Sequence, residues 1–132
     1  MFANTNLCVT NFAFPDVCNV PTPVGPIPTP FPNFAISISH VPSQFSLFIQ
    51  CGLAENLVTQ GTISNGDEPG IGLGVVSGLE IGPDRYMMGS VKVCFGGVFA
   101  TRLTSVVGQN GMLPNAVGMS ITPSQVCVLV LS

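Results

Sequence analysis

The chain has 132 residues, 46% of them apolar and only 7% charged, with three basic and six acidic residues and a net charge of −3. A soluble domain usually carries charge on roughly a quarter of its residues, so this surface is unusually neutral, and disorder driven by high charge is excluded. Three cations cannot supply the row of phosphate contacts that nucleic acid requires, and 15 Gly with 12 Pro exclude an architecture of long helices.

In chain order, Met1–Asn11 has neither a basic head nor an apolar run of signal-peptide length, which points to synthesis and initial retention in the cytoplasm. Two uncharged stretches, Val17–Ala54 and Leu103–Ser132, are broken by prolines and glycines, so neither forms an unbroken membrane-spanning helix. From Pro15 to Pro32, proline recurs at every second or third position, and the segment is predicted to run extended and polyproline-like across a surface. Ile36–His40 alternates, and Phe45–Cys51 puts Phe45, Leu47, Ile49 and Cys51 on one side, the pattern of a half-buried strand. Glycine is dense from Gly61 to Gly82, with Asn65-Gly66-Asp67 and Pro69-Gly70 supplying turn chemistry in a loop-rich middle. Ser90–Leu103 reads as a β-hairpin turning at Gly96-Gly97. Val126–Leu131 reads as a terminal strand buried on both faces. With no helical stripe and no internal repeat of fixed period, the expectation is one all-β domain over residues 1–132, built from short strands and hairpins with Gly/Pro-rich turns, an extended Pro-rich segment and an apolar core.

Five cysteines (Cys8, Cys18, Cys51, Cys94, Cys127), widely spaced and without C-x-x-C, argue against a disulfide scaffold, and at least four are expected to be small buried hydrophobes. Metalloprotease, P-loop and nucleophile-elbow motifs are absent. Gly70-Ile71-Gly72-Leu73-Gly74 lacks the sixth glycine of a dinucleotide fingerprint and reads as turns and close backbone approaches. His40, the one histidine, is expected to be a polar rim residue or a hydrogen-bonded structural one, and Asp67-Glu68 a solvated loop. Cys18 and His40 are the candidate metal ligands, short of the four that zinc takes. A cysteine nucleophile served by His40 is the enzymatic alternative.

The order of several segments carries a family resemblance. Phe2-Ala3-Asn4-Thr5, Phe14-Pro15-Asp16-Val17-Cys18, Pro21-Thr22-Pro23, Pro26-Ile27-Pro28 and Pro32-Asn33 are followed by Asn65-Gly66-Asp67, Pro69-Gly70, Gly74-Val75-Val76-Ser77-Gly78 and Gly82-Pro83. Gly96-Gly97, Ala100-Thr101-Arg102, Gln109-Asn110 and Pro123-Ser124-Gln125 complete the series. Together they resemble the PAAR-like domains, relatives of the PAAR proteins that sharpen the spike of bacterial type VI secretion systems.

The resemblance implies a small cone of short strands and hairpins, its base seated on the trimeric valine-glycine repeat spike protein, one chain per trimer. It implies a non-enzymatic tip that pierces the target membrane in transient contact with it, recruits or carries an effector, directly or through a chaperone, and leaves the cytoplasm on the spike without a signal peptide. PAAR proteins hold zinc with histidines and a cysteine. Cys18 is in the family-like place, but the histidines to look for near Glu55 and Tyr86 and the cysteine near Met112 are missing, so no cofactor is expected and the zinc ligand set is incomplete. The sequence given stops after its last predicted strand, so effector cargo is expected to be held non-covalently or to belong to a further part of the protein. Val91, Val93, Phe95, Val128 and Val130 are candidate partner-interface residues, with the core as the other place alternation allows. The alternatives are a small cysteine-dependent hydrolase, a free-standing binding module, or a phage-like tail component of the same shape.

Overall fold

The computed structural model describes residues 1–131 and is all-β. In chain order the strands are β1 (Thr10–Thr22), β2 (Gly25–Ile36), β3 (His40–Val41), β4 (Phe48–Ile49), β5 (Gly52–Leu53) and β6 (Gln60–Gly61), then β7 (Arg85–Tyr86), β8 (Cys94–Phe95), β9 (Val98–Phe99), β10 (Val106–Gln109) and β11 (Ala116–Ser120). One sheet has the order β2-β1-β11-β10-β7-β6-β3, and β4-β5 and β8-β9 are separate two-stranded sheets. Among the described residues no helix is long and apolar enough to cross a membrane.

The Pro-rich segment is not a polyproline helix: Pro15–Pro32 lies within a long β-hairpin, β1 against β2. The spacing of the prolines explains why. Asn19 lies opposite Pro28 and Val17 opposite Pro30. Asn19 directs its own N–H and C=O away from β2, to Leu73 and Gly72, and Val17 gives its C=O to Val75. These are therefore non-hydrogen-bonded pairs, whose backbone groups point outward. Pro26, Pro28, Pro30 and Pro32 occur at period two on the edge strand, so every missing N–H falls on the open side, where a ladder bond is not needed. The register shifts between Ala13 and Asp16, where the Phe14–Pro15 peptide is cis. The Gly70–Gly74 backbone runs beside β1 through these bonds, in keeping with turns and close approaches.

A repeated unit organises the rest. The Gly96-Gly97 hairpin forms as expected, though shortened to β8 and β9, with both glycines at positive φ. Phe45–Cys51 is not one strand; it bends back at Gln50 and Cys51, both at positive φ, so that β4 pairs with β5. Val126–Leu131 is not a strand buried on both faces either. It pairs with the first residues of the chain through the Phe2–Leu129 bridge and mutual bonds between Met1 and Val130.

The two short hairpins and this pairing of the first and last residues, a third hairpin in all but its turn, begin alike. Gln44 Oε1 accepts N–H from Ser46 and Leu47, Ser90 Oγ from Lys92 and Val93, and Gln125 Oε1 from Cys127 and Val128. They also join in a closed ring: Asn4 N–H bonds Thr101 C=O, Thr101 N–H bonds Glu55 C=O, and Glu55 N–H bonds Asn4 C=O. Bridges Ala3–Arg102, Thr5–Ala54 and Asn56–Ala100 repeat the same cycle, as do N–H bonds from Asn6 to Leu53, Leu57 to Phe99 and Leu103 to Phe2. The base is therefore a pseudo-threefold ring, hidden in the sequence because unequal connections separate its three units.

The apolar core is small and obeys this symmetry, with Ala3, Ala54 and Ala100 at one set of equivalent positions and Val130, Ile49 and Phe95 at another. Most other apolar side chains lie outside, and Asn, Asp, Ser and Thr fill much of the interior. The expected apolar core is therefore present but small, and much of the interior is polar. Of the cysteines only Cys18 is buried; Cys51, Cys94 and Cys127 are exposed on the short paired units, and Cys8 is exposed on the segment that leads into β1. Ile36 and Ile38 are also exposed, and Ser37 and His40 point in.

The ring predicts equal sensitivity at equivalent sites. Ala3→Leu, Ala54→Leu and Ala100→Leu should each lose about 1–3 kcal/mol by overpacking, whereas Val91→Ser on the exposed side should stay within about 0.5 kcal/mol, as read by urea denaturation.

Candidate functional site

Two buried polar clusters hang from this frame. The first surrounds His40, which opens β3 opposite Gly61 of β6. A Cβ at Gly61 would sit 1.5 Å from Asp84 Oδ1, so only glycine leaves room for that carboxylate beside the imidazole. His40 Nδ1 lies 2.7 Å from Glu55 Oε1 and Nε2 lies 3.1 Å from Asp84 Oδ2. Tyr86 donates its hydroxyl to Glu55 Oε2 at 2.6 Å and packs edge-on to the imidazole. Asn4 donates to the Tyr86 and Ser120 hydroxyls, Ser120 to Asn11 Oδ1, and Asn11 to Asp84 Oδ2. The bonds thus form a closed circuit of side chains, with His40 on β3, Tyr86 on β7, Ser120 on β11 and Asn11 on β1, and with Asn4, Glu55 and Asp84 supplied by the segments between strands.

Electrostatics follow from that circuit. Burial pulls His40 toward the neutral form, but hydrogen bonds to Asp84 and Glu55 and their charges outweigh it, and its pKa is pushed up to about 10. Tyr86 is raised well above its ordinary value by burial and then by the Glu55 charge. With a carboxylate on each nitrogen, imidazolium is the form that donates to both. Neither nitrogen is left to take a proton from a thiol, so the Cys–His pair of a cysteine hydrolase is not assembled here. His40 is the hydrogen-bonded structural histidine of the two sequence readings.

The second cluster surrounds Cys18 on β1. Its thiol faces Asp16 Oδ1 at 3.5 Å and Asp67 Oδ2 at 3.6 Å, and all three residues are buried. Burial, then the Asp16 charge, pushes the thiol strongly upward. Asp67 is raised by burial and by Asp16. Asp67-Glu68 is therefore only half the solvated loop expected: Asp67 is drawn inside, and Glu68 stays exposed and accepts the Gly66 N–H. Asn110 donates to Asp67 and Asp16, Asn115 to Asp16 and the Val17 carbonyl, and Asn33 to Asp16 and the Ser64 hydroxyl.

Cys18 and His40 thus belong to separate networks with different carboxylates. The zinc that the resemblance implies does not fit either one. Asp16, Cys18 and Asp67 could converge on an ion, their ligand atoms lying within 4.8 Å of one another. However, amide N–H groups face these carboxylates, and no imidazole is present. Around His40 both nitrogens are already engaged.

Of the candidate interface residues, Phe95 and Val130 are core, Val93 is half-buried, and Val91 and Val128 are exposed. Surface hollows lined by Val41, Pro42 and Val58, by Ile36, Ile38 and Ile63, and by Leu57, Thr59 and Met112 reach neither cluster. Glu55, Asp84, Tyr86 and the interior asparagines had no sequence signal as a group, since Asn and Asp among glycines look like turn residues.

Residues 9–117 match the Toxin PAAR-like domain family, and the chain belongs to that family. No curated protein and no solved structure matches it. The matched stretch includes two of the three hairpins, the third being made from the first and last residues of the sequence.

The His40 cluster makes stability depend on pH. The folded pKa of His40 is raised from 6.5 to about 10, so its contribution is fully present below pH 6.5 and is lost as pH rises through about 10. Urea unfolding should show this decline, and His40→Phe should abolish the part of it that lies below the ordinary titration range of cysteine and tyrosine, since buried Cys18 and Tyr86 add their own loss above that range. His40→Ala should lose about 3–5 kcal/mol at pH 7, because it leaves two buried carboxylates without their cation.

Proposed function

We propose, on the premise that this chain is a PAAR-like domain, that it serves a type VI secretion spike as a non-enzymatic cap on the trimeric valine-glycine repeat spike protein, one chain per trimer. The observation that carries this reading is the pseudo-threefold ring. A single chain that presents three equivalent hairpins can meet three identical subunits at once, where an asymmetric surface would satisfy one of them.

The hairpins are suited to such an end-on contact. Phe45, Val91 and Val126 occupy equivalent positions and are 71%, 73% and 64% exposed. β4 and β8 each lie in a two-stranded sheet, so each has an edge without a neighbouring strand among the described residues. Strand addition supplies main-chain bonds at such edges, and the apolar side chains beside them supply contact area. Lys92 is the one charged residue in these three segments, which limits the charge desolvated on docking. The Val91 and Val128 candidates fall on this exposed side, whereas Phe95 and Val130 support it from the core.

In this reading the protein remains cytoplasmic until loaded, leaves on the spike, and meets the target membrane in passing. Exposed Val24 and Ile27 on the β1–β2 hairpin, and Ile38, Ile63 and Val76 on the segments between strands, lie outside the three units of the ring and suit that passage. Recruitment of an effector or chaperone belongs to the same proposal.

The test is co-purification with the trimeric spike protein encoded in the same gene neighbourhood, with the mass of the complex read by light scattering. One chain per trimer is expected, and Phe45→Asp, Val91→Asp and Val126→Asp should each weaken binding by about tenfold or more, the effect of roughly 1.4 kcal/mol. A folded chain that forms no complex, or binds one chain per spike subunit, would overturn the reading.

A further inference from the structure

We infer that this chain closes its Cys18 cluster with amide donors in place of a cation, and is a metal-independent member of its family. The inference rests on how the surrounding side chains are oriented. Asn110 Oδ1 accepts the Gly82 N–H at 3.0 Å, which turns its amide N–H group toward Asp67 Oδ2 at 2.7 Å and Asp16 Oδ1 at 3.4 Å. Asn115 Oδ1 accepts the Val76 N–H at 2.8 Å, which turns its own N–H group toward Asp16 and the Val17 carbonyl. Asn33 gives a third N–H group to Asp16 Oδ2 at 2.5 Å and to Ser64 Oγ, while the Ser64 hydroxyl donates to the Gly82 carbonyl.

None of these amides can be reversed without loss. Flipping Asn110 or Asn115 would strand a backbone N–H and set a carbonyl oxygen against a carboxylate. The positive ends of three amide dipoles therefore occupy the directions from which a cation would be held, and the thiol itself is placed to donate to Asp16 and Asp67. Zinc needs about four lone-pair ligands and takes cysteine as thiolate. The cluster leaves only Asp67 Oδ1 and Asn33 Oδ1 without a hydrogen-bond partner. Two oxygens, neither from an imidazole or a thiolate, fall short of that set.

Metal analysis of the chain purified without metal-affinity steps tests the inference whether or not it caps a spike, since a metal-bound chain could still dock. Less than about 0.1 zinc per chain is expected, with Tm moving by less than about 1 °C on adding chelator or zinc. About one metal per chain, or a chelator-induced fall of several degrees, would overturn it. Asn110→Ala should lower Tm by about 5 °C, and an unchanged Tm would also overturn it. Asn110→Asp, which replaces an N–H donor with a third carboxylate, should make Tm rise with added zinc, a response the wild-type chain lacks.

Discussion

Four of the six acidic residues, Asp16, Glu55, Asp67 and Asp84, are removed from water, and the fold depends on what surrounds them. An ionised carboxylate in an apolar interior would cost several kcal/mol after relaxation. Here it meets an imidazolium or a set of amide and hydroxyl donors. His40 bridges Glu55 and Asp84, while asparagines serve Asp16 and Asp67. The donors come from distant parts of the chain, so the networks form only when the strands are in register. Polar satisfaction thereby does much of the work of specifying this structure that packing does in an ordinary core.

The pseudo-threefold ring is what allows so polar an interior to close. Ala3, Ala54 and Ala100 are small enough for three backbones to approach and exchange hydrogen bonds around the ring. Glu55 serves both levels, since its backbone completes the ring and its side chain holds His40 and Tyr86. The frame that presents three hairpins outward is thus the frame that positions the buried charges. Because the interior is polar, apolar residues are released to the outside, where the proposed role in a spike has uses for them.

The all-β class, the Gly96-Gly97 hairpin and the family were legible in the sequence. Alternation along Val91–Phe95 and two adjacent glycines point to that hairpin by local physics alone. Local physics was insufficient for the Pro-rich segment, because period-two proline suits both a polyproline helix and an edge strand, and only the pairing of β2 with β1 decides between them. It is also insufficient for the cysteines and the terminal run, where β-branched and apolar composition points to burial but the interior is mostly polar. The ring was illegible because its units differ at the key position, Gln44, Ser90 and Gln125, and share a backbone bonding role rather than a residue type. Of the two clusters, Cys18 and His40 were singled out, but their partners sit in turns and became visible only when pairing brought them together.

His40 is the one histidine in the chain, so its side chain can be observed without ambiguity by nitrogen-15 NMR. If the buried carboxylates are held as described, both ring nitrogens will carry protons at pH 8, with slowly exchanging N–H signals coupled to the Glu55 and Asp84 environment. A neutral imidazole at that pH, with one unprotonated nitrogen, would contradict the electrostatic arrangement on which the fold and its site are built.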